Sequence, residues 1–184
     1  MFREGFPDSI FHKKPLYFNL YYLGALAFHI TDLIWLVGIY ELQTDFLMML
    51  LHHMCTISLI TFSYLSNYSN VGCIVLFLHD LGDIFVYIVR IFLNTRAPEI
   101  LKISSGILLL VIYVYTRIYV FGDLLIEVYT GISTHFNWVN KCLWGFLVFL
   151  FILHLYWVFL ILKKIFSALI MKTYEDTFKV NKRS

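Results

Sequence analysis

Charge is scarce in this chain. Only 14% of its 184 residues are Asp, Glu, Lys or Arg, against 60% hydrophobic residues. Soluble domains carry about 25% charged residues, so an ordinary soluble domain is excluded. The formal net charge is only +2, and no basic run is interleaved with aromatics, which removes nucleic acid as a partner. Cysteine is equally thin, with only Cys55, Cys73 and Cys142. No CxxC pair occurs, so neither a disulfide framework nor a zinc knuckle is indicated, and all three are expected as buried free thiols. No internal repeat, low-complexity tract or linker divides the chain, which reads as one domain. An early apolar core is missing too: Met1 to Pro15 is polar, with Arg3, Glu4, Asp8, Lys13 and Lys14, so no cleavable signal peptide is expected.

What is present is apolar length. Five segments reach the roughly 20 residues that cross a bilayer: Leu16 to Tyr40, Phe46 to Tyr64, Val71 to Leu93, Ile100 to Phe121 and Val139 to Ile165. Phe and Tyr are abundant, as suits membrane interfaces. The fold class predicted is all-α, a polytopic transmembrane helical bundle of about five spans. Its layout is a polar N-terminal segment over 1–15, a transmembrane domain over 16–165 and a basic tail over 166–184. The connections expected are Glu41 to Asp45, Leu65 to Asn70, Asn94 to Glu99 and a longer one, Gly122 to Trp138, that dips into the membrane. One end of the bundle carries Arg96, Lys102, Lys163, Lys164, Lys172, Lys179, Lys182 and Arg183; the other has Arg3, Lys13, Lys14 and Lys141. The excess of Lys and Arg places the first end, with the C-terminus, in the cytosol.

Against this background the ionisable residues inside the spans stand out. An Asp at the centre of a membrane helix costs roughly 2.5–3.5 kcal/mol on insertion scales. The second span nevertheless holds His52-His53, and the third holds His79-Asp80 and Asp83. Residues three or four apart share a helix face. His52 and His53 are therefore both within reach of Thr56, while His79, Asp83, Tyr87 and Arg90 form a polar stripe, with Asp80 beside Asp83 and Tyr87. On this orientation His52 and His53 lie about two turns, roughly 10 Å, below the cytosolic surface. Arg117 in the fourth span needs an anionic or carbonyl partner, and Asp80 and Asp83 are the candidates. His29 and Asp32, three apart, are candidates to line the same cavity. His154 sits among bulky apolar residues and reads as structural; His12 and His135 read as surface residues.

Several chemistries suit these groups. An imidazole takes a proton from a nucleophile near neutral pH, or attacks an activated acyl group itself. A carboxylate beside it fixes its tautomer or holds a substrate ammonium, and a dry site protects an acyl intermediate from water. These roles converge on acyl transfer between lipidic substrates. Metal binding by His52, His53, His79, Asp80 and Asp83 is the rival. Adjacent histidines on a helix point about 100° apart, and no H-x-x-H-H cluster occurs, so no metal is expected. A proton-coupled transporter finds no broken-helix pair or inverted repeat to support it.

The same residues carry a longer pattern. His52-His53, Thr56, Ser63-Tyr64, Asn67, Val71-Gly72, Leu78-His79-Asp80 and Asp83 resemble, at matching spacing, the Lag motif of the ceramide synthases, whose membrane domain is of the TLC type. Looser agreement extends to Asp45-Phe46, Thr116-Arg117 and His154-Leu155-Tyr156-Trp157. Asn70 and Tyr87 depart from the family pattern, which often has a basic and an acidic residue there. The resemblance implies a multi-pass enzyme of the endoplasmic reticulum that transfers a fatty acyl group from acyl-CoA to the amine of sphinganine or sphingosine. It implies His52, His53, Asp80 and Asp83 as the catalytic residues. His79, Thr56, Asn67, Tyr87, Arg90 and Arg117 are expected in substrate-binding or supporting roles. No cofactor is expected, acyl-CoA being the acyl donor. The partners expected are fatty acyl-CoA, a sphingoid long-chain base and the lipid bilayer, with a homo- or heterodimer left open. The family's upstream helices make an N-terminally truncated chain the expectation. The alternative reading is a non-catalytic TLC-domain protein that binds or senses lipid.

Overall fold

In a bilayer every backbone N–H and C=O must find its partner within the protein, which an apolar helix achieves by itself. The computed structural model describes residues 16–38, 45–132 and 138–181, and among them the regular elements are all helical. α1 spans Leu16–Gly38, α2 Phe46–Leu65, α3 Ser69–Asn94 and α4 Glu99–Tyr113. A π-helical turn, Val114–Val120, joins α4 to α5, Phe121–Ile132, and α6 runs over Trp138–Asn181. Five stretches are long and apolar enough to cross a membrane: α1, α2, α3, the continuous run Glu99–Gly131 and Trp138–Ile170.

Two expectations are corrected. The long connection Gly122 to Trp138 is helical over its first part, since α5 reaches Ile132. Phe121, Leu124 and Val128 recur on one helical face and are buried. The membrane-dipping portion of that expectation, residues 133–137, lies outside the described residues, as do His12 and His135. The cysteines are also not uniformly buried: Cys55 is, Cys73 is partly so, and Cys142 is exposed on α6. At the other end α6 continues past Ile165 to Asn181.

The main core forms where four helices meet. Cys55 and Leu59 of α2, Val71 and Val75 of α3, Phe121, Leu124 and Val128 of α5, and Leu143, Leu147 and Leu150 of α6 pack together. A second, smaller cluster joins Tyr22 of α1 to Ile60 and Leu76. Among the described residues α1 buries only Tyr22 and His29, seven positions apart and therefore on one face.

The α2–α3 turn fixes how these two helices meet. Tyr68 N–H donates to Ser63 O at 2.8 Å and Asn67 N–H to Tyr64 O at 3.3 Å, the Schellman pattern that closes a helix. Asn67 occupies its left-handed position, with φ 63°, which Asn tolerates better than most side chains. The expected substrate-contacting or supporting Asn67 is thus a turn-forming residue in this fold.

Candidate active site

The histidines of four helices converge. His52 and His53 of α2, His79 of α3, His29 of α1 and His154 of α6 are all buried. Ring centroids lie 5.5 Å apart for His52 and His53, 6.0 Å for His52 and His79, 5.8 Å for His29 and His53, and 4.9 Å for His79 and His154. His52 lies nearly parallel to His79 and meets the Trp157 ring edge-on at 5.1 Å. Adjacent histidines remain in one cluster, despite pointing about 100° apart, because His53 turns toward α1 while His52 turns toward α3 and α6.

Arg117 organises one side of the cluster. Its Nη2 donates to Asp83 Oδ1 at 2.6 Å and to the His79 carbonyl at 2.8 Å, and its Nη1 lies 3.2 Å from His154 Nε2. The guanidinium is 3% exposed. Two local features put it there. The π-helical turn rotates Arg117 relative to a regular helix, a distortion frequent at functional sites. Gly82 leaves the space: a Cβ on it would sit 3.0 Å from Arg117 Nε.

Hydrogen-bond accounting orients the rings. His79 Nδ1 lies 2.7 Å from Val75 O, an acceptor only, so this nitrogen carries a proton. His79 Nε2 then faces His154 Nε2 at 3.1 Å. His154 Nε2 is thereby shared between His79 and Arg117. A neutral His79 then has only an acceptor at Nε2, so His154 Nε2 either donates to His79 or accepts from Arg117 Nη1, not both at once.

The expected residues separate into groups. His52, His53, His79, Thr56 and Arg117 come together, and Asp83 reaches them through Arg117. Of the two candidate partners for Arg117, Asp83 is the one used. Asp80, about 100° round the helix from His79, is exposed and accepts a hydrogen bond from Tyr21 of α1 at 2.7 Å. The polar stripe does not hold along its length. Tyr87 is rotated about 80° from His79 and is 52% exposed, and Arg90 is exposed near the end of α3. His154, read as structural from its apolar surroundings, is fully buried at the junction of His79 and Arg117. The looser matches at Thr116-Arg117 and His154 to Trp157 were the signal available for it. Among the described residues no group of three or more His, Cys, Asp or Glu is arranged to hold a metal ion.

Beside His79 lies a narrow apolar chamber of about 40 Å³, part of it open to the surroundings. His79 and Thr56 line one end; the walls are Leu59, Ile60, Val75, Leu76, Val128 and three leucines of α6. Thr56 Oγ1 and the Nδ1 atoms of His29, His52 and His53 are buried without a hydrogen-bond partner among the described residues. Such groups are rare in folded proteins and call for an explanation. The arrangement offers the Thr56 hydroxyl and the His79 ring at the end of an apolar tube, with the His52 ring 6.0 Å from His79.

Comparison with known proteins agrees with this picture. Human ceramide synthase 3 is 28% identical over 181 residues, covering 94% of this chain and 45% of that protein. Human ceramide synthase 5 is 29% identical over 168 residues, 85% of this chain and 41% of that protein. Ceramide synthase LOH2 of Arabidopsis thaliana is 32% identical over 92 residues, 50% of this chain and 30% of that protein. The chain thus spans less than half the length of these curated relatives. No solved structure matches it. The family description that matches is the TLC domain, over residues 1–163, and the chain is accordingly a multi-pass membrane protein that belongs to the TLC-domain family.

Proposed function

We propose that the protein is a sphingoid-base N-acyltransferase that moves a fatty acyl group from acyl-CoA to the amine of sphinganine or sphingosine. The observation that carries this reading is the set of unpartnered imidazole nitrogens on His29, His52 and His53, clustered next to His79, which lines an apolar chamber. The relatives named above as ceramide synthases support it.

In this reaction the acyl C–S bond breaks, a C–N bond forms, and the proton lost by the amine ends on the thiol of CoA. An aliphatic tail lying along the apolar walls would bring the reacting carbonyl near Thr56 and His79. His52 or His53 then either carries the acyl group as an acyl-imidazole or accepts the amine proton. Exclusion of water from the cluster protects the activated acyl group. Asp83 acts through Arg117, which it holds against His79 and His154. Asp80 acts through Tyr21, holding α1 against the bundle. Asn67 shapes the α2–α3 turn, and no resident cofactor enters the reaction. The Lys and Arg distribution favours a cytosolic C-terminus in the endoplasmic-reticulum membrane, with acyl-CoA arriving from the cytosol and the base from the bilayer.

The test is lipid mass spectrometry on ceramide-synthase-deficient cells expressing the chain. Ceramide or dihydroceramide is expected, and His52→Ala or His53→Ala is expected to abolish it. Binding of acyl-CoA or long-chain base without ceramide would establish the non-catalytic reading instead.

A further inference from the structure

The chamber has two unlike ends. Thr56 and His79 line one, while Ser63, Tyr68 and Gly72 line the other. Ser63 lies seven residues beyond Thr56 on α2, and Gly72 seven before His79 on α3, so the ends are about 10 Å apart. Tyr22 is the only side chain that α1 contributes to the lining.

Tyr22 is fixed at that far end from every side. It is 1% exposed. Its hydroxyl is bonded to Ser63 Oγ, and because Ser63 donates its own proton to Ile60 O at 3.1 Å, Tyr22 is the donor. Its ring lies against Phe18, with centroids 5.8 Å apart, and against Tyr64 at 5.6 Å. Gly72 is what makes room for it: a Cβ there would overlap the Tyr22 hydroxyl and press on Ser63 Oγ. A rigid phenol, hydrogen-bonded across the end of an apolar tube, is a wall. An aliphatic tail long enough to reach it must part the buried Tyr22–Ser63 bond and put no polar atom in its place, an unfavourable exchange.

We propose that Tyr22 is the stop that sets the longest aliphatic tail the site accepts, a specificity role for α1 that rests on the acyltransferase reading. Ser63 and Gly72 hold the stop in place. The tail belongs either to the acyl donor or to the long-chain base; both present the same chemistry to these walls.

Purified protein in nanodiscs decides the matter. One series offers acyl-CoAs of graded length with a single base, and a second offers bases of graded length with a single acyl-CoA. Tyr22→Ala is expected to raise the ratio of the longest product to the shortest by about tenfold or more, the scale on which apolar pockets sense methylenes. Tyr22→Leu, which keeps apolar packing, is expected to move it the same way by less. Leu20→Ala, on the exposed face of α1, is expected to match wild type. The series that moves identifies the tail. Unchanged profiles for both Tyr22 variants in both series would overturn the stop while leaving the acyltransferase reading intact. If wild type makes no ceramide, that reading fails, and native mass spectrometry of retained fatty acids on the same samples then tests the stop directly. A longer cut-off in Tyr22→Ala supports it, and an identical cut-off overturns it.

Discussion

The buried histidines fall into two halves that are held in different ways. His79 and His154 lie in a line of polar contacts that runs from Val75 O past both rings to Arg117 and on to Asp83. Among the described residues His154 Nδ1 and Arg117 Nε are left over in that half. His29, His52 and His53 are also buried but, among the described residues, meet their neighbours through ring contacts, and the Nδ1 atom of each is unpartnered. The same residue type at the same burial is therefore doing two jobs. Polar contacts on Nε2 hold one half as a scaffold; the other half, without them, has capacity for a ligand.

The largest expected effects come from the open half. His52→Ala and His53→Ala should each lower ceramide formation by at least about 100-fold, the lower bound for loss of general acid–base help, while the fold survives. Activity and thermal stability measured on the same nanodisc samples separate the two. An equal loss of stability would erase the distinction between the halves.

In the tied half the effect should move to stability. Arg117→Met removes the donor shared by Asp83, the His79 carbonyl and His154, at a cost of about 3 kcal/mol for breaking a largely buried ion pair. Asp83 is 46% exposed, which keeps the figure at the low end. Thermal unfolding in detergent checks it: the midpoint should fall well below that of His52→Ala. Next comes Gly82→Ala, whose methyl would press on the guanidinium; it should cost about 1–3 kcal/mol as an overpacking change. Smallest is Tyr21→Phe, which removes an exposed hydrogen bond to Asp80 worth about 1 kcal/mol. Asp80→Asn should match it in a thermal melt. A much larger fall in activity for Asp80→Asn than for Tyr21→Phe would assign Asp80 a chemical role beyond holding α1.

Much of this was legible in the sequence, and what was not has physical causes. The five spans follow from apolar length, and the His52-His53 and His79-Asp80 steps advertise themselves because charge is otherwise so rare. That Arg117 would need a partner, with Asp80 and Asp83 as candidates, followed from the need to pair a cation in a span. Helical spacing alone could not separate Asp80 from Asp83, because their partners, Tyr21 and Arg117, lie 59 and 34 residues away. His154 looked isolated for the same reason: its partners are 75 and 37 residues distant. The π-helical turn left no mark in composition, since it is set by where Arg117 must reach. The amphipathic spacing of Phe121, Leu124 and Val128 was the mark that α5 left in the sequence.

On the proposed function, the unpartnered histidines carry acyl transfer. Its most direct test is ceramide formation from acyl-CoA and sphinganine by purified wild type, His52→Ala and His53→Ala in nanodiscs, read by mass spectrometry against matched thermal melts. Ceramide is expected from wild type alone, with melting curves that nearly coincide. Folded variants that both still make ceramide at the wild-type rate would contradict it.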